Sequence, residues 1–150
     1  MPQSFVSLPV HLVFSTKNRA ALIRDDMQSR LYEYIGGILR EQKSKLVAAG
    51  GMPDHIHLLV LLSKQVALSD LLRDMKSASS KWIHDTFARQ QDFAWQAGYG
   101  AFAVSHSNLP QVTRYIANQT QHHRAQSYQE EFISLLKKHE IEFDERYLWE

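Results

Sequence analysis

Asp54-His55-Ile56-His57-Leu58-Leu59-Val60-Leu61-Leu62 is the stretch on which the fold turns. It follows Gly50-Gly51-Met52-Pro53, which reads as a turn. A short apolar run bounded by turn residues reads as a buried strand. Side chains alternate along a strand, so His55 and His57 share one face with Leu59 and Leu61. Ile56, Leu58, Val60 and Leu62 line the other face. A strand apolar on both faces sits centrally in its sheet. Two imidazoles on one face can converge on a single metal ion, and histidine is the commonest metal ligand. A lone His-x-His pair is a weak motif, and core histidines share this spacing.

Neighbouring positions narrow the options. A histidine-triad nucleotide hydrolase would need a third histidine at Leu59, and a metallo-β-lactamase-like hydrolase would need Asp and His at Leu59 and Val60. A barrel amidohydrolase needs a far longer chain. Two histidines completed by a ligand from elsewhere remain.

Working outward, Val6, Leu8, Val10, Leu12 and Phe14 alternate as a first strand, with Pro9 and His11 on its other face. Pro9 suggests a bulge or an unpaired position. Thr16-Lys17-Asn18-Arg19 forms a basic loop. Asp25 can cap a first helix carrying Met27, Leu31, Tyr34, Ile35 and Ile38 at helical spacing. Gly36-Gly37 within it breaks the pattern or marks a close contact. A short second strand covers Lys45 to Ala49, and a long second helix runs from Leu68 to about Arg89. Tyr99 to Ser105 alternates as a fourth strand; helices follow from about Leu109 to Ala125 and from about Gln129 to His139. The order is βαββαβ, so the expected fold class is α+β: a ferredoxin-like, RRM-like antiparallel sheet with additional C-terminal helices. Its first and third strands are central in that topology.

Composition sets the outer bounds. A chain of 150 residues with 44% hydrophobic content suits one domain over 1–150. No apolar run is long enough for a membrane span. Met1-Pro2-Gln3-Ser4 lacks the features of a signal peptide. The absence of cysteine excludes disulfides and thiolate metal sites. A cytoplasmic location is the expectation. A net charge of +1 leaves nucleic-acid binding to a local patch.

The third helix carries Arg114-Tyr115-Ile116-Ala117-Asn118-Gln119-Thr120-Gln121-His122-His123. Tyr115 and Gln119 are four apart, hence neighbours on one helical face, roughly 5–6 Å between Cβ atoms. A phenol beside an amide oxygen can supply a nucleophile and a third metal ligand. Val112, Tyr115, Ile116 and Gln119 equally follow the spacing of a packed helix face.

Taken together, Asp54-His55-Ile56-His57-Leu58-Leu59-Val60 and Tyr115-Ile116-Ala117-Asn118-Gln119-x-x-His122-His123 resemble the single-tyrosine HUH transposases (TnpA-like) of small insertion sequences with palindromic ends. The resemblance extends through Val13-Phe14-Ser15-Thr16-Lys17-Asn18-Arg19, Lys76-Ser77-Ala78-Ser79-Ser80-Lys81-Trp82, Trp95-Gln96-Ala97-Gly98-Tyr99-Gly100-Ala101-Phe102 and Glu142-Phe143-Asp144-Glu145-Arg146-Tyr147-Leu148-Trp149. Repeat-associated relatives usually carry Asn-Pro soon after the tyrosine motif. Asn118-Gln119 here favours the insertion-sequence branch.

The resemblance implies a transposase that cleaves and rejoins single-stranded DNA, in a prokaryotic host. Tyr115 would be the nucleophile, forming a 5′-phosphotyrosine link and freeing a 3′-hydroxyl. His55, His57 and Gln119 would be the metal ligands, with Asn118, His122 and His123 behind them. The metal would be Mg²⁺ or Mn²⁺; imidazole favours tighter Mn²⁺ binding. Lys17, Arg19, Lys76, Lys81, Arg114 and Arg124 are the candidate contacts to the DNA backbone. The implied partners are single-stranded DNA with hairpin ends and a second copy of the chain, in a homodimer whose active sites are shared. The polar stretch Arg124-Ala125-Gln126-Ser127 would let the tyrosine helix reach across. Three competing readings are an HUH nickase of replication or conjugation, a non-cleaving ferredoxin-like regulator that binds nucleic acid, and a metal hydrolase with Tyr115 merely structural.

Overall fold

The computed structural model describes residues 3–150; Met1 and Pro2, part of the stretch read above for a leader, lie outside the described residues. Four strands, β1 (Pro9–Ser15), β2 (Lys45–Met52), β3 (His55–Leu61) and β4 (Gly100–Ala103), form one antiparallel sheet in the order β2-β3-β1-β4. β1 and β3 are central, as the two-sided apolar character of the histidine strand requires. The fold is the expected α+β sheet with helices.

The alternation of β1 and β3 divides the molecule into layers. Leu12 and Phe14 join Ile56, Leu58 and Val60 in the main core, beneath α1 (Asp25–Glu41) and α2 (Leu68–Thr86). Both helices place apolar residues on one face: Met27, Leu31, Ile35 and Leu39 on α1, and Leu71, Leu72, Met75 and Ile83 on α2. That is the 3.6-residue period of an amphipathic helix. The opposite sheet face carries His11, Val13, His55, His57 and Leu59. It is covered by α3 (Leu109–Ala117), the short α4 (Gln119–His122) and α5 (Tyr128–Lys138).

Several boundaries differ from the sequence pattern for local reasons. β1 starts at Pro9 because β3 ends opposite it at Leu61. Val6 and Leu8, which continue the alternation, lie exposed beyond the strand; the Leu8 carbonyl still accepts from Leu62 N–H at 2.9 Å. Pro9 opens the strand, where its missing N–H costs nothing; the bulge falls instead on β2, between Leu46 and Ala48. β2 continues through the glycines to Met52, so the turn is only Pro53-Asp54. The helix expected over Leu109 to Ala125 breaks at Asn118 (φ −99°, ψ 24°). α2 stops at Thr86, where Phe87 turns extended.

One glycine governs how α3 lies. Gly50 pairs with His57 across the β2–β3 ladder. A Cβ there would stand 2.2 Å from the Ile116 carbonyl oxygen. The bare backbone therefore lets the tyrosine helix settle directly on β2 beside the histidines. Gly50→Ala is expected to push α3 outward, at a cost of roughly 1–3 kcal/mol as for other overpacked sites. The midpoint of urea unfolding measures it; an unchanged midpoint would show that α3 does not need this approach.

Candidate active site

β3 delivers His55 and His57 with both rings buried, and each ring is oriented from behind. His55 Nδ1 donates to Asp54 Oδ1 at 2.7 Å. Its Nε2 points inward, 3.3 Å from Gln119 Oε1 and 3.5 Å from Glu131 Oε1. His57 Nε2 donates to Glu131 Oε1 at 2.9 Å, and its Nδ1 lies 2.8 Å from His11 Nε2. His123 Nε2 completes the ring, 3.0 Å from Gln119 Oε1 and 3.1 Å from Glu131 Oε1.

Tyr115 enters from α3. Its hydroxyl donates to Glu131 Oε2 and lies 3.3 Å from His122 Nε2. The break at Asn118 still leaves Gln119 folded back on the tyrosine, with its amide nitrogen donating to the Tyr115 carbonyl at 3.3 Å. Thus three helices and a strand aim one phenol, one amide, three imidazoles and one carboxylate at a common point.

Charge follows from these contacts. Burial alone would lower the His55 pKa, but hydrogen bonds to Asp54 and Glu131 outweigh it and hold it up to about 9. Burial lowers His57, and Glu131 does not fully offset this. Burial with His57 alongside brings His11 down to about 3, so His11 is neutral. Glu131 is held well below the carboxylate range: burial opposes its charge, but hydrogen bonds from His55, His57 and Tyr115 prevail. Burial and the Glu131 carboxylate together push the Tyr115 phenol above its ordinary value.

The donor set fits a divalent ion. His55, His57, His123 and Glu131 place one ligand atom each within 4.8 Å of one another, and Gln119 Oε1 adds a neutral oxygen among them. The partners behind the rings suit this: a ligating histidine gives its other ring nitrogen to a carboxylate or similar group. Asp54 does this for His55. His11 can serve His57 in either tautomer, donating to Nδ1 or accepting from it. An ion at Nε2 requires the accepting form.

Residues 4–119 match the pattern of the family described as "Transposase IS200 like". The chain belongs to the IS200-like transposase family. The ISDra2 transposase TnpA of Deinococcus radiodurans is 24% identical over 117 residues, covering 75% of this chain and 84% of that protein. A solved structure of a putative transposase from Deinococcus radiodurans superposes with a TM-score of 0.62 at 26% identity, over 79% of this chain and 96% of that one. A REP-associated tyrosine transposase, solved bound to a REP hairpin, shares the fold with a TM-score of 0.57 at 16% identity, over 79% of this chain and 70% of that one.

In this IS200-like transposase the residues expected at the site converge: Tyr115, His55, His57 and Gln119 meet, with His122 against them; His123, expected behind the ligands, instead places its Nε2 among them. Asn118 sits exposed at the helix break and joins no side-chain contact of the cluster. The tyrosine lies against the histidines of its own chain, 5.8 Å between the Tyr115 and His57 ring centroids. The basic residues do not form one track. Arg114 and Arg124 are exposed near the tyrosine. Lys17 and Arg19 follow β1 at the Asp54 end of the sheet, where Thr16 N–H donates to the Asp54 carbonyl at 2.9 Å. Lys76 and Lys81 belong to α2, across the sheet from Tyr115. Lys76 is committed to the carbonyls of Gln96 and Gly98 at 2.9 and 2.6 Å, and burial lowers it to about 8. Lys81 pairs with Asp85 at 2.7 Å.

Two contributors escaped the sequence reading. Glu131 shares the inward face of α5 with Tyr128, Phe132 and Leu136, and an acid at a core position is the signal that marks it. His11 shares the inward face of β1 with Val13, a polar ring among apolar neighbours.

Without metal, the cluster makes stability depend on pH. His55 is raised from 6.5 to about 9, so its contribution is whole below pH 6.5 and is lost as pH climbs from 6.5 to about 9. His11 and His57 are lowered from 6.5, so stability present above that pH is lost below it. Glu131, lowered from 4.5, adds a further loss below pH 4.5. In chelator, the urea midpoint should peak near pH 6.5. His55→Gln should flatten the alkaline limb; an alkaline limb that persists in the variant would assign it to other groups. His11→Ala should weaken Mn²⁺ binding about 10–100-fold, as loss of such supporting groups does. Isothermal titration measures it, and unchanged affinity would remove His11 from the metal site.

Proposed function

We propose that this transposase cleaves and rejoins single-stranded DNA through Tyr115, in a metal-dependent reaction at hairpin-marked element ends. The observation that carries this reading is the Tyr115 hydroxyl, hydrogen-bonded to Glu131 inside the cluster of His55, His57 and His123. A tyrosine placed there for packing alone would not bring its oxygen to the focus of a ligand set.

Tyr115 Oη would attack the phosphorus of a backbone phosphodiester. The P–O3′ bond breaks, a 5′-phosphotyrosine forms, and the leaving oxygen becomes a 3′-hydroxyl. That hydroxyl later attacks the phosphotyrosine to rejoin strands, so no external energy source is needed. A free phenol is mostly protonated at neutral pH, and burial beside Glu131 strengthens its hold on the proton. Glu131 Oε2 and His122 Nε2, the latter 3.3 Å from the hydroxyl, are the groups within reach to take that proton and pass it to the leaving O3′. His55, His57, His123, Glu131 and Gln119 would hold Mg²⁺ or Mn²⁺, and the imidazoles favour Mn²⁺. When bound, the ion neutralises phosphate charge and stabilises the leaving oxygen.

Arg114 and Arg124 near the tyrosine, with Lys17 and Arg19 at the Asp54 end, are the proposed backbone contacts; Lys76 is held by backbone carbonyls and Lys81 pairs with Asp85 on the other side of the sheet. The REP-bound relative makes a hairpin the DNA form to try first. We further propose a homodimer, as the exposed edges of an open sheet invite pairing and two-fold dimers are the commonest oligomers. Among the described residues no helix is long and apolar enough to cross a membrane, and the chain is proposed to act in the cytoplasm.

Incubation with single-stranded hairpin DNA and Mn²⁺ should leave DNA covalently attached on a denaturing gel. Tyr115→Phe should abolish the adduct; an adduct from the variant would assign the nucleophile elsewhere. Chelator should stop cleavage while leaving hairpin binding largely intact. Two inactive variants, Tyr115→Phe and His57→Ala, can be mixed under conditions of proven subunit exchange. Recovered cleavage means that sites are shared between chains. Continued inactivity means that each chain uses its own tyrosine, the arrangement its single-chain geometry presents.

A further inference from the structure

The hydrogen-bonded cluster does not end at Tyr115. Beyond it opens a cavity of about 510 Å³ between α3 and α5, with Tyr115, His122 and Glu131 in its lining. This volume lies within the range of small-molecule sites. Its floor and walls include Phe102 and Val104 of the β4 segment, Val112 of α3 and Leu135 of α5. The His139 ring lies 4.6 Å from that of Phe102, inclined by 30°, and both line the space. Beyond Tyr115, His122 and Glu131, the polar lining consists of the His11 and His139 rings, the Ser134 hydroxyl and three side-chain amides, those of Asn108, Gln111 and Gln126. Lys138 adds one cation at the wall.

We propose that this cavity is a subsite for one unpaired DNA base, that of a nucleotide adjoining the phosphate attacked by Tyr115. The proposal rests on the reading of Tyr115 as the nucleophile. Four observations favour a base over other occupants. The cavity is lined by the Tyr115 and His122 side chains, so a phosphate under attack brings its flanking sugar and base there. The apolar walls and flat rings suit a nucleobase, which binds proteins largely by stacking. Side-chain amides match the mixed donor and acceptor edge of a base, and Asn and Gln read adenine by two hydrogen bonds at once. The cation at the wall suits a neighbouring phosphate. An apolar peptide segment would leave the amides unpaired, and a free anion would leave the apolar walls idle.

The chain would then choose its cleavage position partly by direct contact with one base. The test uses a randomised pool of single-stranded DNA with Mn²⁺. DNA recovered covalently attached to the protein is sequenced, together with the released strands, to give base frequencies on both sides of the cut. The wild-type chain should show a preference concentrated at one position next to the scissile phosphate. Gln111→Ala should reduce that preference about tenfold, the lower end of what a paired base contact discriminates. Ser134→Trp, on the cavity wall, should abolish it by filling the space. Retained Mn²⁺ affinity and unfolding midpoint show that each variant keeps its metal site and fold. A preference unchanged in both variants, or one that falls evenly at every position, overturns the proposal while leaving the tyrosine chemistry intact.

A second arm separates the two readings if no adduct forms. The four deoxynucleoside 5′-monophosphates and inorganic phosphate are each titrated while the Gln111 and Gln126 side-chain amide signals are followed by NMR. Shifts specific to the nucleotides support the subsite even if the nucleophile is reassigned. Shifts equal to those from phosphate alone, or none, remove it.

Discussion

Everything on the tyrosine side of the sheet depends on one buried carboxylate. Glu131 is 1% exposed, and its two oxygens face four imidazoles and a phenol. A buried charge is tolerated only when paired and hydrogen-bonded. Here the pairing comes from three separate places: His55 and His57 on β3, Tyr115 on α3, and His122 and His123 at the end of α4. Losing all of these partners together would leave the charge uncompensated in the interior. Glu131 therefore fastens α5 to the sheet and holds the tyrosine helix against the histidines. The apolar contacts of Tyr128, Phe132 and Leu136 with Val13 and Phe102 provide the area; the carboxylate specifies the register.

The same carboxylate makes the site respond to what occupies it. In the absence of an ion, protons on His55, His57 and His123 complete the hydrogen bonds to Glu131 and Gln119. Metal binding displaces such protons, because a ligating imidazole must present its lone pair. The Asp54–His55 and His11–His57 pairs make the exchange local. Asp54 keeps the Nδ1 proton of His55 whether or not Nε2 is occupied. His11 turns from donor to acceptor without moving. His11 lies on β1 and Asp54 in the two-residue turn between β2 and β3, so the imidazoles need little reorganisation. Tyr115, held by Glu131 and close to His122, is the member with freedom to change partners.

The sheet was legible because its signals are local and strong. The alternation around Leu12 and Phe14, the doubly apolar histidine strand and the order of elements fixed β1 and β3 as central. The expected convergence of Tyr115 and Gln119 on His55 and His57 came from resemblance rather than from spacing, since the same spacing also fits a packed helix face. What remained hidden depended on partners distant in sequence. Val6 and Leu8 continue a strand pattern, but where β1 ends is decided by where β3 stops. The break at Asn118 carries no proline or glycine to announce it. Lys76 reads as a surface cation, yet the carbonyls that hold it are 20 and 22 residues away. Glu131 was visible in principle as an acid at a core position of α5; reading it required asking why a charge should face inward.

The family pattern ends at residue 119, before three of the groups that close the site. His122, His123 and Glu131 all lie beyond it, as does the α5 wall of the cavity beside Tyr115. The part described by the family thus supplies the histidine strand, Tyr115 and Gln119. The remainder supplies the charge that gathers them in one chain. A helix that only covered hydrophobic surface would need no acid at position 131, and an acid that only bound metal would not need the phenol. Their combination on one carboxylate means that the packing of α5, the protonation of the imidazoles and the position of Tyr115 cannot vary independently. Whatever moves α5 must also release the tyrosine, and whatever engages the tyrosine must leave Glu131 another partner, for which the neighbouring imidazoles are already in place.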